Sequence, residues 1–472
     1  MSKYSSDIRG LGYYCKRMLI MVALILIAIY GSDIWLYFKQ IDDDKILATS
    51  VMKNKTFSTK VQEIKEAGMS AYLMEEHSVP IVSMSFTFTN AGSAHEDESK
   101  QGLTQLLTAL LLDGAGKYEA VSFKEICEEY GIKIGFDEGI DDVSGYLHTP
   151  KQNLDKASDM LLMVLQSPRF DNEYLQLRKQ QLKTAVNMSQ ENPQAVLADK
   201  FAEFIYARHP YSRLQTEKLE TVDNIDEADL REYMQTHFSK QNIIIGLAGD
   251  LTKEEANGII KKVFAGLPDE YKGEKITRIN LQLGGREHNI KRDVAQAISI
   301  FAGNGTYRDS VDFYPLYLAN YIFGGSGLNS RISQIIREKE GLTYGIYTGL
   351  TQNDASALLR GSYSATPDNF GKAKKLLLKE WHKMAQNGVS EQELQQAKNA
   401  LIASYNLRFA SISEIAEMLN GMLKYHLGKD FLEKRNDYVK AVTLSETNAA
   451  AKKYFSQNPD FVSIGVEQEE KK

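Results

Sequence analysis

The sequence is poor in the residues that mark several classes of protein. Its 472 residues include two cysteines, nine prolines and eight histidines, and its formal net charge is −6. Two cysteines cannot form a disulfide framework, and so few prolines argue against long disordered linkers. The absence of a basic excess argues against a nucleic-acid partner, because phosphate binding needs clustered lysine and arginine.

What is present is an ordinary globular composition, with 43% hydrophobic and 25% charged residues. The N-terminus differs from the rest. Basic residues precede an apolar run, and residues 18–38 are about long enough to span a bilayer. We interpret residues 1–17 as a cytoplasmic basic flank, residues 18–38 as a signal anchor in the membrane and residues 39–58 as a linker. A cleaved signal peptide and a buried soluble helix are the alternatives.

This anchor would place the body of the chain on the exported side of the membrane, which is the periplasm in a Gram-negative bacterium. The body itself repeats one order of elements. The strand-like VPIVSMSFTFTN and the helical GLTQLLTALLLDG have counterparts in QAISIFAGNG and FYPLYLANYIFGG. We therefore predict one α+β unit used twice, with a first domain at residues 59–265, an interdomain linker at 266–285 and a second domain at 286–472.

Several stretches carry a resemblance to a known family: NAGS, QGLTQLLTALLLDGAGKYEAVSF, ARHPYSR, LAGD and FGGSGLNSRISQIIREKEGLTYGIY. In these the chain resembles the pitrilysin/insulinase family of zinc metallopeptidases, the inverzincins, over nearly all of its exported part. The resemblance implies two homologous pitrilysin-type α/β domains, each an antiparallel-rich sheet packed with helices.

The zinc motif of that family is degenerate in this chain. Catalytic members carry His-x-x-Glu-His on the first apolar helix, where the two histidines hold zinc and the glutamate activates water. Aligning GLTQLLTA on this pattern puts Gln105, Thr108 and Ala109 at the three positions. Alanine has no donor atom, threonine is no base near neutral pH, and glutamine is a poor zinc ligand. The helix is therefore interpreted as core packing, and no metal is expected on this chain.

No other histidine supplies the motif. Glu76 and His77 form a near miss that lacks the first histidine, and His95 with Glu96 is predicted to lie in a solvated loop. A zinc site built from His77 or His95 with distant carboxylates is the less favoured alternative. His209, which precedes a proline in ARHPYSR, is predicted to be part of a structural turn.

The second half keeps a different pair of functional residues. In the family, the second domain supplies an arginine and a tyrosine to the substrate, and the matching residues in IIREKEGLTYG are Arg337 and Tyr344. A phenol OH can stabilise the oxyanion of a tetrahedral intermediate, and a guanidinium can clamp peptide carbonyls. Taken singly, an arginine on a helix is usually a solvated charge, and a tyrosine that opens a strand is usually half-buried packing.

Together these features predict a subunit that is inactive alone and belongs to a heterodimeric zinc metalloendopeptidase. A homologous partner subunit would carry the zinc motif and the zinc, while this chain would contribute Arg337 and Tyr344 to the shared site on peptide substrates. The alternatives are a structural scaffold subunit of a membrane complex, as in the respiratory cytochrome bc1 complex, and a peptide-binding module without catalysis.

Overall fold

Two large sheets and a small two-stranded one organise this protein, seen here in a computed structural model that describes residues 60–466. The described residues belong to one unit that begins at Ser58. The predicted basic flank, signal anchor and linker, residues 1–17, 18–38 and 39–58, lie outside the described residues. Between residues 60 and 466, no helix has both the length and the hydropathy that a membrane crossing requires.

The first module, residues 60–265, is built on a six-stranded sheet. The strands of this module, including two outside that sheet, are β1 Gln62–Glu66, β2 Met69–Glu75, β3 Ile81–Phe88, β4 Gly114–Ala115, β5 Tyr118–Glu119, β6 Lys133–Glu138, β7 Val143–Pro150 and β8 Ile243–Gly249. The sheet order is β1-β2-β8-β3-β7-β6, while β4 pairs with β5. Only β2 and β8 run parallel among these strands, so the sheet is antiparallel-rich as predicted.

Helices follow the strands of the first module. They are α1 Leu103–Leu110, α2 Ala120–Glu129, α3 Leu154–Gln166, α4 Asn172–Glu191, α5 Pro193–Tyr206, α6 Lys218–Thr221, α7 Glu227–His237 and α8 Lys253–Phe264. The apolar helix α1 starts after Gly102, whose φ of 95° lies in the left-handed region that glycine adopts without strain. Its leucines recur at helical spacing and are buried in the main hydrophobic cluster of the module.

The second module, residues 286–466, repeats this plan with five strands. They are β9 Glu287–Ile290, β10 Ala297–Asn304, β11 Gly345–Gln352, β12 Ala357–Ala365 and β13 Asp460–Ile464. Their order, β11-β12-β10-β13-β9, is the order of the first sheet without β1. β9 and β13 are parallel, as are β2 and β8 in the first sheet. The prediction of one α+β unit used twice is confirmed.

The helices of the second module follow the same order. They are α9 Phe313–Asn320, α10 Pro367–Asn387, α11 Glu391–Ala403, α12 Ile412–Lys424, α13 Phe431–Ala441 and α14 Leu444–Phe455. Two π-helical segments, Tyr321–Gly325 and Ser333–Lys339, lie between α9 and β11. The residues of the predicted interdomain linker, 266–285, form neither helix nor strand.

Helix α12 of the second module lies on the sheet of the first. It comes so close that a Cβ at Gly246 would stand 2.1 Å from the carbonyl oxygen of Ala416. The Asn420 amide donates hydrogen bonds to the backbone oxygens of Ser85 (3.2 Å) and Ile244 (3.0 Å). Its oxygen accepts a bond from the Thr87 hydroxyl at 2.9 Å. The polar face of β3 is therefore covered by a helix rather than by water.

Helix α5 of the first module makes the reciprocal contact with the second sheet. Phe201 packs under the Arg360 guanidinium, 5.0 Å from the ring centroid. The hydroxyl oxygens of Tyr206 and Ser356 are 3.2 Å apart. A third hydrophobic cluster joins α5 to residues of β10, β12 and β13. Each module thus lends a helix to the other, and the two share buried surface.

Candidate functional site

A lysine side chain lies beside the degenerate zinc motif. Gln105, on α1, accepts a hydrogen bond through its side-chain oxygen from the Lys218 ammonium at 2.9 Å. The same ammonium lies 3.5 Å from Glu138 Oε1 at the end of β6. Lys218 begins α6, and its side chain is only 7% exposed. A cation of the chain therefore bridges α1 and β6 beside the motif.

The other two motif positions offer nothing to a ligand. The Thr108 hydroxyl donates within its own helix, to the backbone oxygens of Thr104 (3.0 Å) and Gln105 (3.2 Å). Ala109 carries only a methyl group and is half-buried. Both residues therefore serve the helix, as the core-packing interpretation predicts.

Glu96 holds the start of this helix, and here the sequence prediction was wrong. The expected solvated loop at His95 and Glu96 is folded inward. The Glu96 carboxylate is buried and accepts hydrogen bonds from the backbone N–H groups of Gly102 (2.9 Å) and Thr104 (2.7 Å). It also accepts the Thr104 hydroxyl at 2.6 Å. An acid here satisfies N–H groups that the helix leaves free, so burial is favoured over solvation.

The pKa shifts of the carboxylates near Lys218 follow from burial. Burial raises the pKa of Glu96, although the hydrogen bonds from Thr104 and Gly102 and the charge of Lys218 oppose the shift. Burial also raises the pKa of Glu138, against the charge of Lys218. Glu138 Oε2 is buried and has no hydrogen-bond partner among the described residues. Lys218 is thus the counter-charge that these two carboxylates share.

This donor set does not fit a zinc ion. Zinc sites in proteins use thiolate, imidazole and carboxylate ligands, whereas the motif positions present an amide, an internally bonded hydroxyl and a methyl group. The adjacent lysine adds a positive charge that would repel a metal cation. Among residues 60–466, no three histidine, cysteine, aspartate or glutamate side chains are grouped so that they could hold a metal.

Arg337 and Tyr344 lie close together along the chain in the second module. Arg337 is in the last turn of the π-helical segment Ser333–Lys339, and Tyr344 directly precedes β11. The Tyr344 side chain is 72% exposed, and Arg337 is half-buried. Within the described part of the chain, neither side chain forms a hydrogen bond or an ion pair. Their functional groups therefore remain available.

The segments that carry this pair are firmly attached. The buried Thr343 donates from its hydroxyl to the backbone oxygen of Ser364 at 2.5 Å, which fixes the start of β11. Arg331 pairs with Glu393 through two hydrogen bonds of 2.6 Å. Burial alone would raise the pKa of Glu393, but the bonds from Arg331 and Ser390 lower it to about 2. The pair is thus presented on a backbone held from both sides.

The histidines considered in the sequence form no hydrogen bond with this pair among the described residues. His77 is exposed between Asp250 (2.7 Å) and Glu75 (3.2 Å). His95 is half-buried, with its Nδ1 3.0 Å from the backbone oxygen of Glu274. His209 accepts the Tyr211 N–H and caps a short turn, consistent with the structural role predicted for it.

Comparison with known proteins identifies the family. Residues 73–216 match the model described as Insulinase (Peptidase family M16), and residues 224–401 match the Peptidase M16 inactive domain. The chain belongs to peptidase family M16. This M16 chain is 24% identical over 397 residues to the "Non-peptidase homolog YmxG" of Helicobacter pylori, covering 81% of this chain and 91% of the relative.

A second relative bears a different description. The Bacillus subtilis protein called "Uncharacterized zinc protease YmxG" is 22% identical over 386 residues, which cover 78% of this chain and 89% of that protein. The relatives of this M16 chain are therefore described both as a non-peptidase and as zinc proteases. Its own motif positions agree with the first description.

Solved structures share the fold. The peptidase M16 inactive domain from Pseudomonas fluorescens superposes with a TM-score of 0.80 at 24% identity, covering 87% of this chain and 99% of that one. The periplasmic protease PqqL from Escherichia coli superposes with a TM-score of 0.73 at 15% identity. The match covers 88% of this M16 chain and 46% of PqqL.

Sequence reasoning missed the charged residues that lie beside α1 in the first module. Glu96, Glu138 and Lys218 are far apart along the chain, and no short motif joins them. One signal was present for Glu96: an acidic residue six positions before Gly102 stands ahead of an apolar helix, where an acid is favoured. Lys218 gave no comparable signal, because its role depends on the contact of α6 with α1.

Proposed function

We propose that this chain is the non-catalytic subunit of a heterodimeric zinc peptidase. A homologous partner would hold zinc and activate water, and this chain would supply Arg337 and Tyr344 to the peptide. Membership in family M16 and the loss of all three motif groups at Gln105, Thr108 and Ala109 support a chain without peptidase activity of its own.

The contrast between the two modules carries this proposal. In the first module, the side chains of Gln105 and Thr108 form hydrogen bonds within the chain, and the partner of Gln105 is Lys218. In the second, Tyr344 is 72% exposed and Arg337 has no partner within residues 60–466, yet the backbone that bears them is anchored by Thr343 and Arg331. A well-positioned pair with free functional groups is what a shared site requires.

The chemistry of the pair fits peptide hydrolysis. The phenol of Tyr344 would donate a hydrogen bond to the oxyanion that forms when water attacks the scissile carbonyl. The guanidinium of Arg337 would donate to carbonyl oxygens of the peptide and hold it in register. The edge strands β6 and β11 each have one neighbour in their sheet, so an extended peptide could add to either edge with little sequence preference.

The location of this assembly follows from the N-terminus. The apolar residues 18–38 would anchor the subunit in a membrane with its body on the exported side. Substrates there would be unfolded peptides or small exported polypeptides. Purified alone, the chain is expected to hold no catalytic zinc and to cleave no peptide.

The test is to purify the full chain from its native membrane and to analyse what accompanies it. A co-purifying homologue with His-x-x-Glu-His, stoichiometric zinc and peptide cleavage are expected. Tyr344→Phe should then lower kcat about 100-fold or more without splitting the complex, since one oxyanion donor is worth that much. Tyr130→Phe is the matched control, because Tyr130 is an exposed tyrosine that follows α2 in the first module and lies on neither edge strand.

Arg337→Ala should weaken turnover in the same complex, whereas Lys339→Ala, an exposed cation in the same segment, should leave it unchanged. Equal activity of Tyr344→Phe and Tyr130→Phe would refute a role for the pair. Zinc bound by the pure chain would refute the assignment of metal to a partner.

A second candidate is a scaffold or peptide-binding subunit without any catalytic partner. The name of the Helicobacter pylori relative, a non-peptidase homolog, favours it. In that case the chain would purify alone or inside a larger membrane complex, without zinc and without cleavage.

A further inference from the structure

A groove in the second module contains an arginine without a counter-ion. The groove has a volume of about 570 Å³ and runs between α9 and the second half of β11. Aromatic side chains form one wall, and residues 348–352 of β11 form the other. The aromatic residues are Phe313, Tyr317, Tyr321 and Tyr425.

The Arg308 guanidinium lies among these rings. It is 4.7 Å from the ring centroid of Phe313 and 5.4 Å from that of Phe431. Its Nε is buried and has no hydrogen-bond partner among residues 60–466, and no carboxylate in that range pairs with it. Burial lowers the pKa of Arg308, but an arginine side chain stays protonated in proteins. The groove therefore contains a positive charge without a paired anion.

Three other cations that are partly or fully buried, Lys424, Arg331 and Arg435, have polar partners among residues 60–466. Lys424 pairs with Asp142, and Arg331 binds Glu393 through two bonds. The Arg435 guanidinium donates to the backbone oxygen of Leu401 at 2.8 Å. Arg308 is partly buried, and a charge shielded from water without a partner costs free energy. Contacts with aromatic rings offset only part of that cost. Arg308 can therefore accept an anion that residues 60–466 do not supply.

The position of the groove indicates the kind of anion. In this sheet β11 pairs only with β12, so its other edge has free backbone N–H and C=O groups. Residues 348–352 line the groove and belong to this edge strand. An extended peptide that paired with the free edge of β11 would pass the groove, with Tyr344 near its other end. A carboxylate on such a peptide could then reach the Arg308 guanidinium.

We propose that Arg308 and the surrounding rings form a carboxylate-binding subsite for an extended peptide. The bound group is either an aspartate or glutamate side chain or the C-terminal carboxylate. A planar guanidinium offers two parallel donors to a carboxylate, and the aromatic walls exclude water from the ion pair. The proposal does not rest on a catalytic partner, because all of its residues lie in this chain.

Three fluorescein-labelled nonapeptides of one β-forming sequence test it by anisotropy with the purified chain. The first has an internal glutamate and an amidated C-terminus. The second has glutamine at that position and a free C-terminal carboxylate. The third has glutamine and an amidated C-terminus. We expect the first or the second to bind at least about tenfold more tightly than the third, and the tighter one identifies the source of the carboxylate.

The Arg308→Gln variant should lose this preference while binding the third peptide as before. Arg278→Gln is the matched control, since Arg278 also stacks on a ring, Tyr307, but is exposed outside the groove. Gln352→Glu is a second variant with little change in shape. The Gln352 oxygen accepts the Arg308 backbone N–H at 2.7 Å, and a carboxylate there keeps this bond while competing for the guanidinium.

Equal affinity of the wild-type chain for all three peptides, or no binding of any, overturns the proposal. So does an Arg308→Gln variant that retains the preference. Because the assay needs neither zinc nor cleavage, these outcomes are independent of whether a peptidase partner exists.

Discussion

At the scale of single residues, Lys218 determines the charge beside the degenerate zinc motif. The Lys218 ammonium lies 2.9 Å from Gln105 and 3.5 Å from Glu138, so the chain places its own cation beside the degenerate zinc motif. This arrangement was not predictable from the motif alone. The three lost groups were readable at residues 105, 108 and 109, but the lysine that replaces them comes from an element more than one hundred residues away.

Replacement of Lys218 by methionine should destabilise the protein. Methionine keeps the length of the side chain but leaves Glu138 and Gln105 without their shared partner in a largely buried site. We expect a loss of about 2–4 kcal/mol in the free energy of unfolding, measured in urea. Lys200→Met is the control, because the Lys200–Glu203 pair is exposed and should contribute less than about 1 kcal/mol. Equal effects of the two changes would contradict the assigned role.

His237 should make stability depend on pH. Burial lowers its pKa to about 4, since the imidazole stacks on Tyr233 and is shielded from water. The unfolded chain therefore binds a proton near pH 6.5 that the folded chain refuses, and stability falls as pH drops from 6.5 towards 4. Between pH 7 and pH 5 the loss should be about 2 kcal/mol. Chemical unfolding at both pH values measures it.

His237→Gln should reduce this pH dependence. His77 is a control of opposite sign, because the hydrogen bonds that its imidazole donates to Asp250 and Glu75 raise its pKa. Its contribution is present below its ordinary pKa and is lost as pH rises through the folded value. His77→Gln should therefore still lose stability between pH 7 and pH 5. If the stability of that variant did not change with pH, the effect would have been assigned to the wrong histidine.

At the scale of elements, β3 shows how far a sequence pattern reaches. The alternation in VPIVSMSFTFTN predicts a strand, and β3 occupies Ile81–Phe88. The pattern would normally leave Ser83, Ser85 and Thr87 in water, yet all three are buried. The reason is α12, which comes from the other module and covers this face; its Asn420 accepts the Thr87 hydroxyl and donates to the backbone oxygen of Ser85. A contact between residues so far apart in sequence has no local signal.

Gly246 should be essential for this helix contact. An added Cβ would stand 2.1 Å from the Ala416 oxygen and 2.6 Å from the Asn420 nitrogen, so Gly246→Ala must push α12 away from the sheet. We expect a loss of about 1–3 kcal/mol, as for other overpacked sites, measured by urea unfolding. Gly421→Ala is the control on α12 itself, where nothing lies within 4 Å of the added methyl group. It should be neutral or stabilise the helix by up to about 1 kcal/mol.

At the scale of the whole molecule, the duplication was predictable and the way the copies join was not. The repeat follows from matching segments such as GLTQLLTALLLDG and FYPLYLANYIFGG, and the two sheets share one strand order. The resemblance also singled out Arg337 and Tyr344, whose free functional groups agree with the role proposed for them. The exchange of α5 and α12 could not be predicted, because periodicity shows which face of a helix is buried but not against which module.

The exchanged helices also determine where motion can occur. A hinge between the two modules would have to pull α12 off the first sheet and α5 off the second, exposing buried leucines and breaking the Asn420 hydrogen bonds. Because of this cost, we expect the two modules to move as one body. If a peptide-binding chamber opens to admit a substrate, the opening must occur at an interface with another polypeptide. The opening rate would then be a property of the assembly rather than of this subunit.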